Sequence, residues 1–91
     1  MDLARFLIRV SGKVQKVGFR NWSAEKANKL QLKGFAKNLA DGSVEIVIEG
    51  LRENARKFID LTAVGPNSAK VEFRQIKEQT FVGEFEDFKI L

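Results

Sequence analysis

Apolar and polar residues change period several times along the chain, and each change marks an element. Residues 4–11 (ARFLIRVS) put Phe6, Ile8 and Val10 on one side and Arg5 and Arg9 on the other, the period-two pattern of a strand with one buried face. The period then lengthens. Phe19, Ser23, Ala27 and Leu30 recur at spacings of four, four and three, which predicts a helix over 20–32, with Gly34 placed to stop it. Residues 34–40 (GFAKNLA) read as a short strand and Asp41-Gly42 as a hairpin turn. The second arm of that hairpin is 43–49 (SVEIVIE), with Val44, Ile46 and Ile48 facing in and Glu45 and Glu49 facing out. Leu51, Ala55, Phe58, Ile59 and Thr62 return to helical spacing over 51–63, and Gly65-Pro66-Asn67 breaks that helix. Residues 69–76 alternate again, with Ala69, Val71 and Phe73 against Lys70, Glu72 and Arg74. Phe81, Phe85, Phe88 and Ile90 predict a last strand in the tail.

This order, β-α-β-β-α-β with room for an extra strand, is the split-βαβ arrangement. It predicts an α+β fold, a ferredoxin-like α/β sandwich with an antiparallel sheet and two helices on one face. No repeat, linker or low-complexity segment divides the chain, so residues 1–91 read as a single domain. Phe6, Phe35, Phe58, Phe73 and Phe88 are expected in the core rather than on a base-stacking surface, because buried aromatic area is what a small core needs.

Composition narrows the chemistry. The chain has no histidine, cysteine or tyrosine. A zinc site of Cys and His, a disulfide framework, a Ser-His-Asp or Cys-His nucleophile and an imidazole base are therefore all excluded. The absence of cysteine agrees with a reducing compartment, and no apolar run approaches the about 20 residues a membrane-spanning helix needs. Cytoplasm is the default expectation. The net charge of +4 is unevenly spread: residues 1–40 hold nine Lys or Arg against two Asp or Glu, and residues 41–91 hold seven against ten. A basic first half favours an anionic ligand, though solvated charge is the ordinary fate of Lys and Arg.

The segment Gly12-Lys13-Val14-Gln15-Lys16-Val17-Gly18-Phe19-Arg20 joins a strand to a helix start. The first N–H groups of a helix lack partners and lie at the positive end of its dipole. A loop that turns its own N–H groups inward makes a nest for an anion, and Arg20 adds a planar fork of donors suited to two phosphate oxygens. Phosphate or sulfate is the natural occupant. The glycine spacing alone matches neither common nucleotide-binding fingerprint, and taken alone it also describes a tight β–α turn with an exposed arginine.

At these residues the sequence resembles the acylphosphatase family. The family's V-x-G-x-V-Q-G-V-G-F-R stretch stands here as Val10-Ser11-Gly12-Lys13-Val14-Gln15-Lys16-Val17-Gly18-Phe19-Arg20. A second stretch, G-x-V-x-N leading through D-G to a V-E strand, stands as Gly34-Phe35-Ala36-Lys37-Asn38, Asp41-Gly42 and Val44-Glu45. Gly65-Pro66 followed by Ala69 and Val71 is a weaker third match. The resemblance implies a hydrolase of acyl phosphates with a ferredoxin-like fold, monomeric and without a metal or other cofactor. It implies two catalytic residues: Arg20 for the phosphoryl group, and Asn38 to position the attacking water. It also implies a substrate-binding loop of Gln15, Lys16, Val17, Gly18 and Phe19, whose N–H groups hold the phosphoryl group or product-like phosphate or sulfate. The Gln15 side chain is open to a bracing role.

The reaction suits the composition. An acyl phosphate expels a carboxylate whose conjugate acid has a pKa near ~4, so no general acid is required. Phosphoryl transfer depends mostly on positioning and charge stabilisation. The neutral amide of Asn38 can orient a water by donating one hydrogen bond and accepting another. Lys16 departs from the family, which usually has glycine there. Either the loop carries a strained lysine, or the lysine brings a useful charge to the mouth of the site. Gln31 also stands where glycine is frequent, with an expected effect on the helix end alone. The resemblance further suggests that the carboxylate of Leu91 pairs with Arg20, as in some relatives. Two alternatives stand beside the hydrolase. One is a phosphate- or RNA-binding module of the same topology, although no RNP aromatic segment occurs. The other is a relative specialised in carbamoyl phosphate, as in larger hydrogenase-maturation proteins.

Overall fold

A computed structural model describes residues 1–91. The elements follow the expected order: β1 (Leu3–Lys13), α1 (Phe19–Lys29), β2 (Lys33–Asn38), β3 (Val44–Leu51), α2 (Arg52–Thr62), β4 (Lys70–Gln79) and β5 (Phe88–Ile90). They form one five-stranded sheet in the order β4-β1-β3-β2-β5. The first four strands pair antiparallel, as expected. The short β5 adds a parallel edge against β2, pairing Gly34 with Phe88 and Ala36 with Ile90. No helix is long and apolar enough to cross a membrane.

One face of the sheet carries the core. Phe6, Ile8 and Val10 stand opposite Ile48, Ile46 and Val44 in the β1–β3 register, and all six are buried. Phe19 and Ala27 of α1 and Ala55 and Phe58 of α2 close over them in the same cluster. Trp22 belongs to this packing, edge-on to Phe19 with ring centroids 5.2 Å apart. Leu51, expected in the helical stripe, is instead the exposed residue preceding α2.

Two local features depart from the period-based reading. The first is at the end of α1. Gln31, not Gly34, terminates the helix by adopting a left-handed φ of 56°. Its N–H donates to the Asn28 carbonyl at 3.2 Å and the Leu32 N–H to the Ala27 carbonyl at 2.8 Å, the paired bonds of a Schellman end. Gly34 lies within β2. The second is a bulge in β4. Ser11 pairs with Phe73 but Gly12 with Val71, so Glu72 is an extra residue. Gly12 permits this close approach, since a Cβ there would collide with the Lys70 carbonyl oxygen. The extra residue inverts the alternation beyond it. Phe73 is turned out of the core and is 65% exposed, contrary to expectation, while Arg74 faces α2. There its Nη1 donates to the Ile59 carbonyl at 2.8 Å and to Thr62 Oγ1 at 3.3 Å.

Part of the opposite face is covered. Glu49 points that way, as its alternation requires, yet it is only 4% exposed because residues 80–87 cross over it. Its carboxylate accepts from the Val82 N–H at 2.8 Å and the Gly83 N–H at 3.1 Å, and Arg5 Nη1 lies 3.3 Å away. Arg5 also reaches Glu84 at 2.7 Å and lies 5.2 Å from the centre of the Phe85 ring. Phe35, expected in the core, sits on this side, with its ring centroid 6.0 Å from that of Phe85. Burial raises the Glu49 pKa, but the Val82 and Gly83 bonds and Arg5 outweigh it and hold the carboxyl below the ordinary value.

A carboxylate with a lowered folded-state pKa contributes stability that is present above its unfolded value of about 4.3 and is lost as pH falls through the folded value. The expected outcome is therefore a loss of stability below about pH 4 in the wild type and a flatter acid limb in Glu49→Gln. At neutral pH that variant is expected to lose about 1–3 kcal/mol, measured by urea denaturation across pH.

Candidate functional site

The segment between β1 and α1 is built to leave donors free. Val14 and Phe19 are both buried and anchor its two ends in the core. Between them the chain reverses with Lys16 at φ 62° and Gly18 at φ 77°, the second being the residue that precedes the first turn of α1. A Cβ at Gly18 would meet nothing within 4 Å, so glycine there serves the backbone angle rather than space. The helix start has no side-chain cap and no acidic residue in its first turn. As a result the main-chain N–H groups of residues 15–21 donate to no acceptor in the chain. They lie at the positive end of α1, and unpaired N–H groups there favour an anion.

The loop and the end of β2 enclose a recess of about 200 Å³ lined by Val14, Lys16, Gly18, Phe19, Arg20, Asn21, Asn38 and Ile90. Of the residues expected from sequence, it brings together Arg20, Asn38, Lys16, Gly18 and Phe19. The side chains of Gln15 and Val17 do not line it. Val17 packs against the core and is not part of the lining. Gln15 Nε2 donates to the Leu39 carbonyl at 2.8 Å and the Ser43 carbonyl at 2.9 Å, tying the loop to the β2–β3 turn that follows Asn38. That turn is fixed in its own right. The Leu39 N–H donates to the Ser43 carbonyl, and Asp41 Oδ1 accepts from both the N–H and the hydroxyl of Ser43. The Ser43 bonds hold the Asp41 carboxyl below its ordinary pKa.

Arg20 is half-buried in the first turn of α1, and its Nη1 donates to the main-chain oxygen of Leu91 at 2.7 Å. The Leu91 N–H in turn donates to the Ala36 carbonyl at 2.9 Å, so the guanidinium is oriented from the edge of β2. Its other N–H donors make no hydrogen bond to the chain. Asn38 ends β2 opposite Val44, is exposed, and has no side-chain partner. The lining holds two cations, Lys16 and Arg20, and no carboxylate. No group of three or more His, Cys, Asp or Glu is arranged to hold a metal ion anywhere in the chain. The arrangement can bind a small anion against main-chain donors and a guanidinium while presenting a neutral amide to it.

Three lining residues lie outside the expected set: Val14, which enters as the buried anchor at the start of the loop, Asn21 and Ile90. Asn21 follows Arg20 directly, and its place one position further around the first helical turn could have been inferred from the spacing. Ile90 enters because β5 is parallel to β2, a pairing that no local pattern announces.

Comparison with known proteins gives matches over nearly the whole chain. The acylphosphatase family model matches residues 6–90. An acylphosphatase of Pyrobaculum calidifontis is 44% identical over an alignment that spans 100% of this chain and 84% of the relative. Among solved structures, an acylphosphatase from Coxiella burnetii superposes with a TM-score of 0.92 at 36% identity, covering 99% of this chain and 94% of the other. One from Bacillus subtilis gives 0.93 at 33% identity, covering 97% and 98%.

A non-glycine residue in the left-handed region carries about 1–2 kcal/mol of strain. Glycine at position 16 removes that strain but gains freedom in the unfolded chain worth about 0.4–1 kcal/mol. Lys16→Gly is therefore expected to hold or raise the denaturation midpoint, and Lys16→Val to lower stability by about 1 kcal/mol or more. Gln15→Ala, which removes two bonds to the β2–β3 turn, is expected to cost about 1–2 kcal/mol in the same assay.

Proposed function

The chain belongs to the acylphosphatase family, and we propose how its own residues carry out the hydrolysis of acyl phosphates to a carboxylate and phosphate. The observation that carries the proposal is the run of unpartnered N–H groups over residues 15–21 beside the Arg20 guanidinium. The phosphoryl group sits on these donors, with Gln15, Lys16, Val17, Gly18 and Phe19 contributing through the main chain. Arg20 meets it with the donors not engaged by Leu91. The Leu91 contact orients the guanidinium, so less freedom is lost when the substrate arrives.

Asn38 holds the attacking water, accepting one of its protons in a hydrogen bond through Oδ1 or donating to its oxygen through Nδ2. The water oxygen bonds to phosphorus as the bond to the acyl oxygen breaks, and the carboxylate leaves with the bonding pair. The water proton passes to a phosphoryl oxygen. A carboxylate leaving group needs no protonation, which suits a recess without an acid. Charge that builds on the phosphoryl oxygens meets fixed dipoles and a cation, the largest contribution available to such a site.

One copy of the chain contains every residue used in this scheme, so the reading is of a monomer acting on a small diffusible substrate in the cytoplasm, where a chain without cysteine loses nothing. The RNA-binding alternative is not favoured. Residues 80–87 cover the Glu49 side of the sheet face opposite the helices, where Phe35 packs against Phe85 rather than standing free to stack on a base, and Phe73 is the one ring left exposed among the strands.

Benzoyl phosphate hydrolysis tests the reading. The wild type is expected to turn it over, and Arg20→Ala and Asn38→Ala are each expected to lower kcat by about 100-fold or more with the circular dichroism spectrum retained. Inorganic phosphate is expected to raise the wild-type Tm and not that of Arg20→Ala. An inactive wild type would sink the hydrolase and leave an anion-binding module.

A further inference from the structure

Lys16 has three properties that a purely structural residue does not need. It occupies a left-handed conformation, φ 62°, that costs a residue with a Cβ and that glycine adopts freely. The residue is exposed and belongs to the lining of the recess, together with Arg20, Asn21 and Asn38. It makes no ion pair and no side-chain hydrogen bond, as is also true of Lys13, Lys33, Lys70, Lys77 and Lys89, but none of those five lines the recess. Strain kept at a position facing a site points to a use for the side chain there.

That use is not the phosphoryl group itself, which already has the main-chain donors of residues 15–21 and the half-buried guanidinium of Arg20. Lys16 stands at the exposed rim. A recess of about 200 Å³ holds a phosphoryl group and the carbonyl joined to it, so a longer acyl chain runs out past the rim. No Asp or Glu lines the recess to neutralise the ammonium, and the lining also holds the exposed amide of Asn21.

We propose that Lys16 is a specificity residue that favours acyl phosphates whose acyl portion carries a second negative charge, such as the monoacyl phosphates of dicarboxylic acids. The proposal rests on the acyl-phosphate reading above and names the substrate class within it. An ion pair at an exposed rim is weak, so the preference is modest and appears in KM rather than in the chemical step.

Succinyl phosphate and butyryl phosphate differ only by a carboxylate in place of a methyl group. The wild type is expected to show the lower KM for succinyl phosphate. Lys16→Gln keeps a polar side chain without the charge, and Gln31 shows that this chain carries a glutamine at a left-handed position. In that variant the ratio of the two KM values is expected to shift by about two- to fivefold against succinyl phosphate, with the ratio of kcat values held. Lys16→Arg is expected to restore the preference. Raising salt from about 10 mM to about 500 mM is expected to erase it in the wild type. An equal change in KM for both substrates would assign the lysine to the phosphoryl group, and no change would give it no role; either result overturns the proposal. Hydrolysis of butyryl phosphate by the wild type reports separately on the acyl-phosphate reading, and its absence overturns both.

Discussion

The arrangement turns on one constraint: the chain between β1 and α1 must reverse while leaving its N–H groups unpaired. A buried, unpaired N–H is costly, so such a loop persists only at a surface open to water or to an anion. It also cannot hold its own shape, because the hydrogen bonds that would fix it internally are the ones withheld. The shape is imposed from outside. Val14 and Phe19 fasten its ends in the core, Gln15 ties its middle to the β2–β3 turn, and Lys16 and Gly18 supply the two left-handed angles. The bond between Gln15 and the turn has a second effect, since the same turn follows Asn38. One side chain therefore fixes the distance between the anion nest and the residue proposed to hold water.

The rest of the fold supplies rigidity to those anchors. β1 and β3 are the central pair of the sheet, and Val14 continues directly from the end of β1. Beneath them the Glu49 carboxylate gathers Val82, Gly83 and Arg5, so the segment from β4 to β5 is held across the back of the sheet. That crossing delivers β5 to the edge of β2, where Ile90 reaches the recess and the Leu91 oxygen reaches Arg20. A buried acid on the face opposite the site thus contributes to the placing of an arginine within it.

Much of this was legible in the sequence. Residue order and period identified the elements, and the V-Q-K-V-G-F-R stretch singled out the loop through its family resemblance, since its glycine spacing alone also describes an ordinary β–α turn. What escaped was non-local. Phe73 fits its strand's alternation, and only the extra residue Glu72, paired against Gly12 of a distant strand, turns it outward. Glu49 reads as a solvent-facing strand residue until the tail folds over it. Aromatic chemistry alone argues for Phe35 in the core, while the register places it on the opposite face. Gln31, marked by the resemblance as a helix-end position where glycine is frequent, ends the helix as a glycine would. Asn21 and Ile90 join the recess through helical phase and a parallel strand pairing, which motif spacing does not encode.

The central claim, that unpartnered N–H groups over residues 15–21 form the anion site, is most directly tested by amide NMR during titration with inorganic phosphate. The account predicts that the largest and saturable shifts fall on the amides of residues 15–21 and on the Arg20 side-chain Nε, with small changes elsewhere. Shifts concentrated on the groove between α1 and α2 that Lys26, Lys29 and Lys57 line, or no saturable shift in the loop, would contradict it.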